Sequence, residues 1–322
     1  MFDLVIVNYN SSEFLHDCLA SIGCSNNGSK LNVFVCDNGS EEPIDYIQKT
    51  FDDITIIRNK QNFGFSKAIN AILSTTSSPY IVLLNPDTIV LPDHFWESVA
   101  AFMDAHPDVG ILGPGVVNPD GSMQGSARSF PRIHSLFFGR RSWLTKILPN
   151  SRFTRANILS NNASASNPLE VDWVSGACMV VRRKALEEVG MLDDRFFMYW
   201  EDIDWCKRMW DTGWKVVYWP AVKIMHHVGG SSDSIVIRPL LEFHKSSILY
   251  FKKHITLHRY LLLPPIIAAI YLRFFALLFS QAYKIVFDRR KKKPNDTYEA
   301  AATEWLYRAC VEKDSNNELA GK

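Results

Sequence analysis

The sequence predicts an α/β fold whose central sheet is mostly parallel and flanked by helices. Short apolar or β-branched runs, which are typical of buried strands, recur at residues 4–7, 31–36, 54–58 and 80–84. Segments with helical spacing separate these runs, at residues 13–22, 44–51 and 66–73. Because strands and helices alternate at such short intervals, βαβ units with parallel strand pairing are expected.

The following part of the chain carries a less regular pattern. Residues 107–170 are rich in Gly, Pro, Ser and Asn, and we interpret them as a long, partly mobile excursion. Residues 171–181 predict one strand with a Gly-Ala kink. Further helices are predicted at residues 95–103, 184–189 and 202–210, and short strands at 215–219 and 222–225.

Composition bounds the class of protein. The chain has 322 residues, of which 47% are hydrophobic and 21% charged, so it can form one sizeable globular core. Its formal net charge of +1 gives no general sign of nucleic-acid binding. The six cysteines are scattered without a CxxC pair, so a zinc site is not indicated.

Polar clusters follow three of the predicted strands. They are Asn8-Tyr9-Asn10, Asp37-Asn38 and Asn85-Pro86-Asp87. The carboxyl ends of parallel strands share one edge of a sheet, where such folds bind ligands. A carboxylate there can hold Mg²⁺ or Mn²⁺ against a diphosphate, or accept hydrogen bonds from a nucleoside. Ordinary turn chemistry explains each cluster singly, but three on one edge favour a binding site.

A run of acidic residues, Glu201-Asp202-Ile203-Asp204, opens a predicted helix directly after the aromatic segment 196–200. The helix dipole stabilises acidic residues at this position, which is the simpler interpretation. Three carboxylates beside so many aromatic side chains favour a functional one. Apolar surroundings raise the pKa of a carboxylate, and a general base needs such tuning together with reach.

Two further motifs are compatible with phosphate or metal binding. His226-His227 ends a predicted strand before a glycine-rich turn at 228–232, and either histidine suits as a ligand. The segment from Asn62 to Lys67 opens a helix and can present N–H groups and Lys67 to phosphate, although simple capping explains it as well.

The C-terminal part changes character from about residue 239. Residues 244–253 predict a basic, aromatic helix, and residues 260–287 are strongly apolar but interrupted by prolines and charges. Those interruptions favour a helix lying in the membrane plane over a spanning one, while a buried appendage is the alternative. The basic cluster 289–293 would attract anionic lipids. We therefore divide the chain into a catalytic domain at 1–238, a helical membrane-associating region at 239–313 and a disordered tail at 314–322.

Taken in order, these motifs resemble those of family-2 inverting glycosyltransferases of the GT-A fold, and especially of bacterial rhamnosyltransferases of surface-polysaccharide assembly. The resemblance covers roughly residues 3–250. The motifs that carry it are Val5-Ile6-Val7-Asn8-Tyr9-Asn10, Asp37-Asn38-Gly39-Ser40, Asn62-Phe63-Gly64-Phe65, Asn85-Pro86-Asp87, Val171-Asp172-Trp173-Val174-Ser175-Gly176-Ala177, Phe197-Met198-Tyr199-Trp200-Glu201-Asp202-Ile203-Asp204 and His226-His227-Val228-Gly229-Gly230-Ser231.

The resemblance implies a role for each matched residue. Asp202 is the catalytic base, with Glu201 supporting the acceptor pocket, and Asp87 binds Mg²⁺ or Mn²⁺ with His226 rather than His227. Asn85 stands where the family often has a second aspartate. The implied donor-binding residues are Asn8, Asn10, Asp37, Asn38, Asn62, Gly64, Lys67 and Asn85. The implied acceptor-side residues are Trp173, Gly176, Ala177, Trp200 and Asp204.

The resemblance also implies the partners and the compartment. The donor is a nucleotide sugar, commonly dTDP-L-rhamnose, and the acceptor is a polyprenyl-diphosphate-linked saccharide. Such an enzyme is a peripheral protein on the cytoplasmic face of the bacterial inner membrane and binds no nucleic acid.

Two alternatives share the predicted fold. A sugar-nucleotide nucleotidyltransferase normally has a Gly-rich loop bearing Lys or Arg after its first strand, where this chain has Asn8-Tyr9-Asn10-Ser11-Ser12. A catalytically inactive scaffold would have no use for Asp87, Asp202 and His226. Both alternatives are therefore disfavoured.

Overall fold

The protein is described here by a computed structural model that covers residues 1–26, 28–91, 94–131, 159–162, 167–227 and 237–287. The glycine-rich turn at 228–232, the basic cluster at 289–293 and the predicted disordered tail at 314–322 lie outside these residues.

The first part of the chain alternates strands and helices, as the sequence predicts. The elements are β1 Phe2–Asn8, α1 Ser12–Ser25, β2 Leu31–Asp37, α2 Asp45–Thr50, β3 Ile54–Arg58, α3 Phe65–Leu73 and β4 Tyr80–Leu84. The four strands pair in parallel in the order β3-β2-β1-β4. Every residue of β1 and β4 is buried, since helices cover both faces of these mainly apolar strands.

The second part extends the sheet with mixed pairing. Its elements are β5 Thr88–Val90, α4 Phe95–Ala105, β6 Val109–Val117, β7 Ala127–Arg128, β8 Leu169–Glu170, β9 Trp173–Val174, β10 Cys178–Arg182, α5 Arg183–Val189, α6 Glu201–Asp211 and β11 Lys215–His226. The described strand order continues from β4 through β10, β6 and β11 to β5. Strand β10 is antiparallel to both neighbours, whereas β6 and β11 are parallel. The predicted α/β class with a mostly parallel sheet flanked by helices is confirmed.

The prediction of an excursion over 107–170 is wrong for residues 109–117. These residues form β6, which is buried throughout and lies between β10 and β11. Its glycines make room for neighbouring side chains rather than for a turn. A Cβ at Gly113 would lie 2.6 Å from the Cβ of Val174, and one at Gly110 would lie 2.9 Å from the Cβ of Trp214.

The single strand predicted over 171–181 is two strands in different sheets. Strand β9 pairs with β7 in a separate two-stranded sheet, and β10 lies in the central sheet. The Ser175-Gly176-Ala177 segment between them crosses the edge where the polar clusters gather. Conversely, the two short strands predicted over 215–225 are one strand, β11, whose register shifts between Trp219 and Lys223.

Two helices follow the sheet, α7 Ile237–His254 and α8 Leu263–Phe287, joined by a 3-10 turn at Leu257–Leu262. Side chains of both helices form one apolar cluster with the segment that precedes α6. Its buried members are Phe196, Trp200, Ile203, Tyr250, Phe251, Leu263, Ile266 and Ile270. Residues 260–280 are long and apolar enough to cross a membrane, and only 17% of that stretch is buried.

Candidate active site

The tips of β1 and β2 form a shared polar corner. Asn8 and Asp37 are register partners at the ends of these strands, and both are buried. Asp37 Oδ1 accepts a hydrogen bond from Ser40 Oγ at 2.5 Å, and Asn8 Nδ2 donates to the same hydroxyl at 3.2 Å. Asn8 Oδ1 is buried without a partner among the described residues. Nearby, Asn10 Oδ1 accepts from the backbone N–H of Glu41 at 2.8 Å.

A second cluster connects Asn38 to the turn before α3. Asn38 Nδ2 donates to Asn62 Oδ1 at 3.1 Å and to the carbonyl of Gly64 at 3.2 Å. Gly64 adopts a φ of 91°, and a Cβ there would lie 2.6 Å from the carbonyl oxygen of Phe197. That carbonyl accepts from Phe65 N at 2.6 Å, so the turn is fastened to the aromatic segment before α6.

Lys67 differs from the other predicted donor-side residues. It lies in the first turn of α3, and its side chain is exposed. Its position at a helix N-terminus suits a phosphate.

Asp87 and His226 face each other across the β5–β11 edge. His226 Nε2 lies 3.4 Å from Asp87 Oδ1, and both side chains are largely buried. Gln124 Nε2 donates to the carbonyl of His226 at 2.7 Å, which turns Gln124 Oε1 toward His226 Nδ1 at 3.2 Å. Gln124 therefore holds the imidazole ring at Nδ1, and Nε2 is the ring nitrogen that faces the Asp87 carboxylate.

This arrangement separates the two histidines. His227 stacks on the ring of Phe14, with ring centroids 5.5 Å apart, while its backbone N–H donates to the carbonyl of Asp87 at 2.9 Å. The sequence alone offers no motif for Gln124, which lies in the segment interpreted as an excursion. Within the described residues, no group of three or more His, Cys, Asp or Glu side chains is arranged to hold a metal.

We expect Gln124→Leu to weaken divalent-metal affinity by about 10–100-fold. The substitution removes the partner of His226 Nδ1, so neither the orientation nor the tautomer of the imidazole ring is fixed any longer. The measurement is the Mn²⁺ concentration needed for half-maximal donor binding. Asp120→Asn, in the neighbouring exposed turn, is the control and should leave that concentration unchanged. An unchanged value for Gln124→Leu would show that Gln124 does not orient His226.

Asp202 lies at the start of α6 and is held by two backbone donors. Its Oδ2 accepts from Gly176 N at 3.0 Å and its Oδ1 from Ile203 N at 2.8 Å. Burial raises the pKa of Asp202, although these hydrogen bonds and the charge of Arg128 oppose the shift. Arg128 lies on β7 with its guanidinium 5.7 Å from the ring centroid of Trp173. Trp173 is itself fixed by a bond from Nε1 to the carbonyl of Ser129 at 3.0 Å.

Glu201, the neighbour of Asp202, is a buried carboxyl with only 8% of its surface exposed. Its Oε2 has no hydrogen-bond partner among the described residues. Burial, and next the charge of Asp202, raise the pKa of Glu201 well above its ordinary value. Glu201 therefore holds a proton under conditions in which an exposed glutamate is ionised.

The raised pKa of Glu201 predicts a pH-dependent stability. The folded state binds this proton more tightly than the unfolded chain, whose pKa is near 4.5, so stability falls as pH rises toward the folded-state pKa. We expect Glu201→Gln to remove that fall, so the melting temperature of the variant should rise relative to that of the wild type as pH increases above 4.5. Glu13→Gln, an exposed control, should follow the wild type. Parallel curves for Glu201→Gln and the wild type would contradict the assignment.

Two residues predicted on the acceptor side have contacts within the protein. Asp204 is fully buried, and it accepts bonds from Arg208 Nε at 2.9 Å, Lys253 Nζ at 2.8 Å and His254 Nε2 at 2.7 Å. Burial would raise the pKa of Asp204, but the bonds from His254 and Lys253 outweigh it and the pKa is lowered. Asp204 thus joins α6 to α7.

Trp200 is likewise a packing residue. Its ring lies among Phe243, Tyr250 and Phe251 of α7, with centroids between 5.3 and 6.0 Å away. Tyr199 and Trp200 both adopt the left-handed conformation, with φ of 68° and 70°. Non-glycine residues rarely adopt this conformation, so the backbone is strained where it enters α6. Packing of the Trp200 ring against α7 stabilises this strained backbone.

We expect Asp204→Asn to destabilise the fold by about 1.5–3 kcal/mol, because charge-assisted bonds to two partly buried cations, Arg208 and Lys253, are lost. Urea unfolding measures the change. Asp211→Asn, which removes a carboxylate from an exposed pair with Lys207 on the same helix, should change stability by less than about 1 kcal/mol. Equal effects of the two substitutions would refute the role of Asp204 as a buried clamp.

The Gly176-Ala177 segment connects the two acidic centres. Gly176 N donates to Asp202, and the carbonyl of Ala177 accepts from Asn85 N at 3.0 Å, two residues before Asp87. A Cβ at Gly176 would meet the Asp202 carboxylate at 3.6 Å. The Asp87–His226 pair and the Glu201–Asp202 pair therefore flank one short segment at the carboxyl edge of the sheet.

The fold and this edge define a glycosyltransferase of the GT-A fold. The chain belongs to Glycosyl transferase family 2, whose profile matches residues 3–190. The predicted family is confirmed, and it favours a sugar transferase over a nucleotidyltransferase.

Curated relatives extend the likeness over most of the chain. An N-acetylglucosaminyl-diphospho-decaprenol L-rhamnosyltransferase of Mycobacterium tuberculosis is 29% identical over 263 residues, covering 77% of this chain and 82% of the relative. Rhamnosyltransferase WbbL of Escherichia coli K12 is 22% identical over 260 residues, covering 79% and 93%.

Solved structures show the same fold. The mannosyltransferase PcManGT from Pyrobaculum calidifontis, in complex with GDP-Man and Mn²⁺, has a TM-score of 0.54 at 16% identity, covering 97% of this chain and 86% of that one. GalNAc-T7 with UDP, GalNAc and Mn²⁺ has a TM-score of 0.55 at 13% identity, covering 79% and 51%.

Proposed function

We propose that this enzyme transfers L-rhamnose from dTDP-L-rhamnose to a hydroxyl of a polyprenyl-diphosphate-linked saccharide, in the synthesis of a bacterial surface polysaccharide. The sugar and the acceptor class rest on the two rhamnosyltransferase relatives, one of which is named for a decaprenol-linked substrate. The chemistry rests on the site itself, where one short segment separates a nucleotide-facing edge from a buried carboxyl pair.

The donor lies along the polar strand tips in this proposal. Asp37 and the unpartnered Asn8 Oδ1 offer acceptors to the base or ribose. Asn38, Asn62 and Gly64 shape the turn under the nucleotide, and Asn10 and Asn85 flank it. Lys67, at the N-terminus of α3, offers a positive charge to phosphate oxygens.

Asp87 and His226 fit a divalent cation, Mg²⁺ or Mn²⁺. His226 Nε2 and Asp87 Oδ1 lie 3.4 Å apart, and Gln124 holds the imidazole ring at Nδ1. One cation placed between these two atoms would be bound by both. The described part of the chain supplies two ligands here, and diphosphate oxygens of the donor would be further ligands. Such an ion, when bound, offsets the negative charge that develops on the leaving nucleoside diphosphate.

Asp202 is the base. Its carboxylate removes the proton from the acceptor hydroxyl while that oxygen bonds to the anomeric carbon and the bond to dTDP breaks, so the configuration inverts. Gly176 N and Ile203 N hold the carboxylate in place for this step. Glu201 keeps its proton and can donate a hydrogen bond to the acceptor. Trp173, Gly176 and Ala177 line the acceptor side.

The acceptor class determines the place of action. A polyprenyl-linked saccharide is embedded in a bilayer, so we place the enzyme at the cytoplasmic face of the bacterial inner membrane as a peripheral protein.

A thermal-shift screen of dTDP-, UDP- and GDP-sugars with Mn²⁺ tests the donor assignment. A ligand that binds the native state raises the melting temperature, and we expect dTDP-L-rhamnose to give the largest rise. Asp87→Ala is the matched variant, since it should lose the metal-dependent part of that rise. A larger shift with a UDP- or GDP-sugar would overturn the choice of donor.

A further inference from the structure

The outer face of α8 is an apolar surface with nothing over it in the described chain. Leu272, Phe275 and Phe279 are 70%, 60% and 75% exposed, and they follow one another at helical spacing. Tyr271 and Leu261 extend the same surface. The opposite side of the helix is packed, because Leu263, Ile266 and Ile270 are 7%, 3% and 1% exposed.

Charge is missing from this outer face. Between Tyr260 and Ser280 the one ionisable cation is Arg273, whose guanidinium lies 5.4 Å from the ring centroid of Phe243 on α7. It is therefore turned toward the protein. Soluble monomers rarely expose a continuous apolar patch of this kind, so the face has an apolar occupant.

We propose that this occupant is the hydrocarbon boundary of a lipid bilayer, and that α8 lies in the membrane plane as the insertion surface of the enzyme. The inference rests on the proposed function for its membrane setting, but the surface is identified from the fold alone.

Lipid suits the face better than a second protein copy does. Protein interfaces combine an apolar centre with a polar rim and direct hydrogen bonds. Over residues 260–280, the exposed aromatic and aliphatic side chains are joined only by small residues, two prolines, Ser280 and the hydroxyls of Tyr260 and Tyr271. Aromatic and leucine side chains facing outward from an otherwise docked helix match in-plane membrane helices.

The packed side of α8 argues against a spanning helix. Leu263, Ile266 and Ile270 belong to the cluster that contains Trp200, the residue before Glu201. Crossing the bilayer would remove these side chains from that cluster and expose Trp200. If α8 instead lies in the membrane plane, the cluster stays intact. The start of α6 and the lipid-facing helix then belong to the same hydrophobic cluster. The acceptor hydroxyl thus meets Asp202 close to the membrane surface.

Vesicle flotation of the full chain tests the surface. We expect the wild type to float with neutral phosphatidylcholine vesicles, and Leu272→Glu/Phe275→Glu/Phe279→Glu to partition at least about 100-fold less, because each lost apolar insertion costs about tenfold or more. Phe275→Glu alone should lose about tenfold. Met191→Glu changes an exposed apolar residue away from α8 and should float like the wild type.

Each other result overturns the proposal. Failure of the wild type to float, or undiminished flotation of the triple variant, removes α8 as the insertion surface. Binding that requires anionic lipid and disappears in salt would assign attachment to the basic residues 289–293 instead. Resistance of the floated protein to alkaline carbonate would indicate a spanning helix, and a dimer that the triple variant dissociates would indicate a second copy.

Flotation is independent of catalysis, so it separates this inference from the proposed function. The triple variant should also keep wild-type turnover on a short, water-soluble acceptor analogue and lose turnover on a vesicle-embedded acceptor. Equal losses on both acceptors would show that the substitutions disturb the active site rather than membrane binding. Retained donor-induced stabilisation confirms that each variant is folded.

Discussion

Asp202→Asn is expected to lower kcat by a factor on the order of 10²–10⁴, the scale of general base catalysis. The amide keeps the shape of the side chain and an oxygen that can accept from Gly176 N, but it cannot take a proton from the acceptor. Donor binding should persist, since Asp202 and the Asp87–His226 pair lie on opposite sides of the Gly176-Ala177 segment and the proposal assigns only the latter to the donor. Transfer of radiolabelled sugar measures kcat, and calorimetry measures donor affinity.

Asp211→Asn is the matched control for this prediction, because it makes the same change at the far end of α6. Its turnover should equal that of the wild type. Near-normal turnover by Asp202→Asn would remove Asp202 as the base, whereas a parallel loss of donor affinity would indicate a general disturbance of the site.

The second large effect is expected for Asp87→Ala. Removing the carboxylate that faces His226 Nε2 leaves His226 as the one candidate ligand among the described residues. We expect kcat/KM to fall by about 10²-fold or more, because several kcal/mol of charge stabilisation are lost. Affinity for dTDP should fall in the presence of Mn²⁺ and stay unchanged when the metal is chelated. Calorimetry under the two conditions measures both values.

Asp53→Ala, at an exposed position between α2 and β3, controls for the loss of one negative charge. It should leave metal-dependent affinity for dTDP unchanged. If Asp87→Ala also retained that affinity, the carboxylate–histidine pair would be a structural contact and the metal proposal would fail.

Local pattern was sufficient for the fold up to Leu84. Each strand and helix there is signalled by its own periodicity, and the boundaries agree within a few residues. The same reasoning failed for β6, because its glycines and proline resemble a loop. Gly113 and Gly110 are required because Val174 and Trp214 pack against them, and both of these residues are distant in the chain but close in space.

The site shows the same division. Asp37, Asp87 and Asp202 can be predicted as candidate site residues, because they lie after strands or at the start of a helix. Gln124 does not, because its role arises from bonds to a histidine 102 residues away. The contacts of Asp204 could not be predicted either, since three carboxylates in four residues appear equivalent in a sequence. Two steps along a helix turn a side chain through about 200°, and this rotation directs the Asp204 carboxylate to Lys253 and His254 of α7.

The anomeric configuration of the product tests the central claim most directly. Wild-type protein, dTDP-L-rhamnose, Mn²⁺ and a synthetic polyprenyl-diphosphate-linked N-acetylglucosamine should yield dTDP and a rhamnosylated lipid whose new glycosidic bond has the configuration opposite to that of the donor. Nuclear magnetic resonance of the product reads this directly. A product that retains the donor configuration would contradict direct displacement with Asp202 as base.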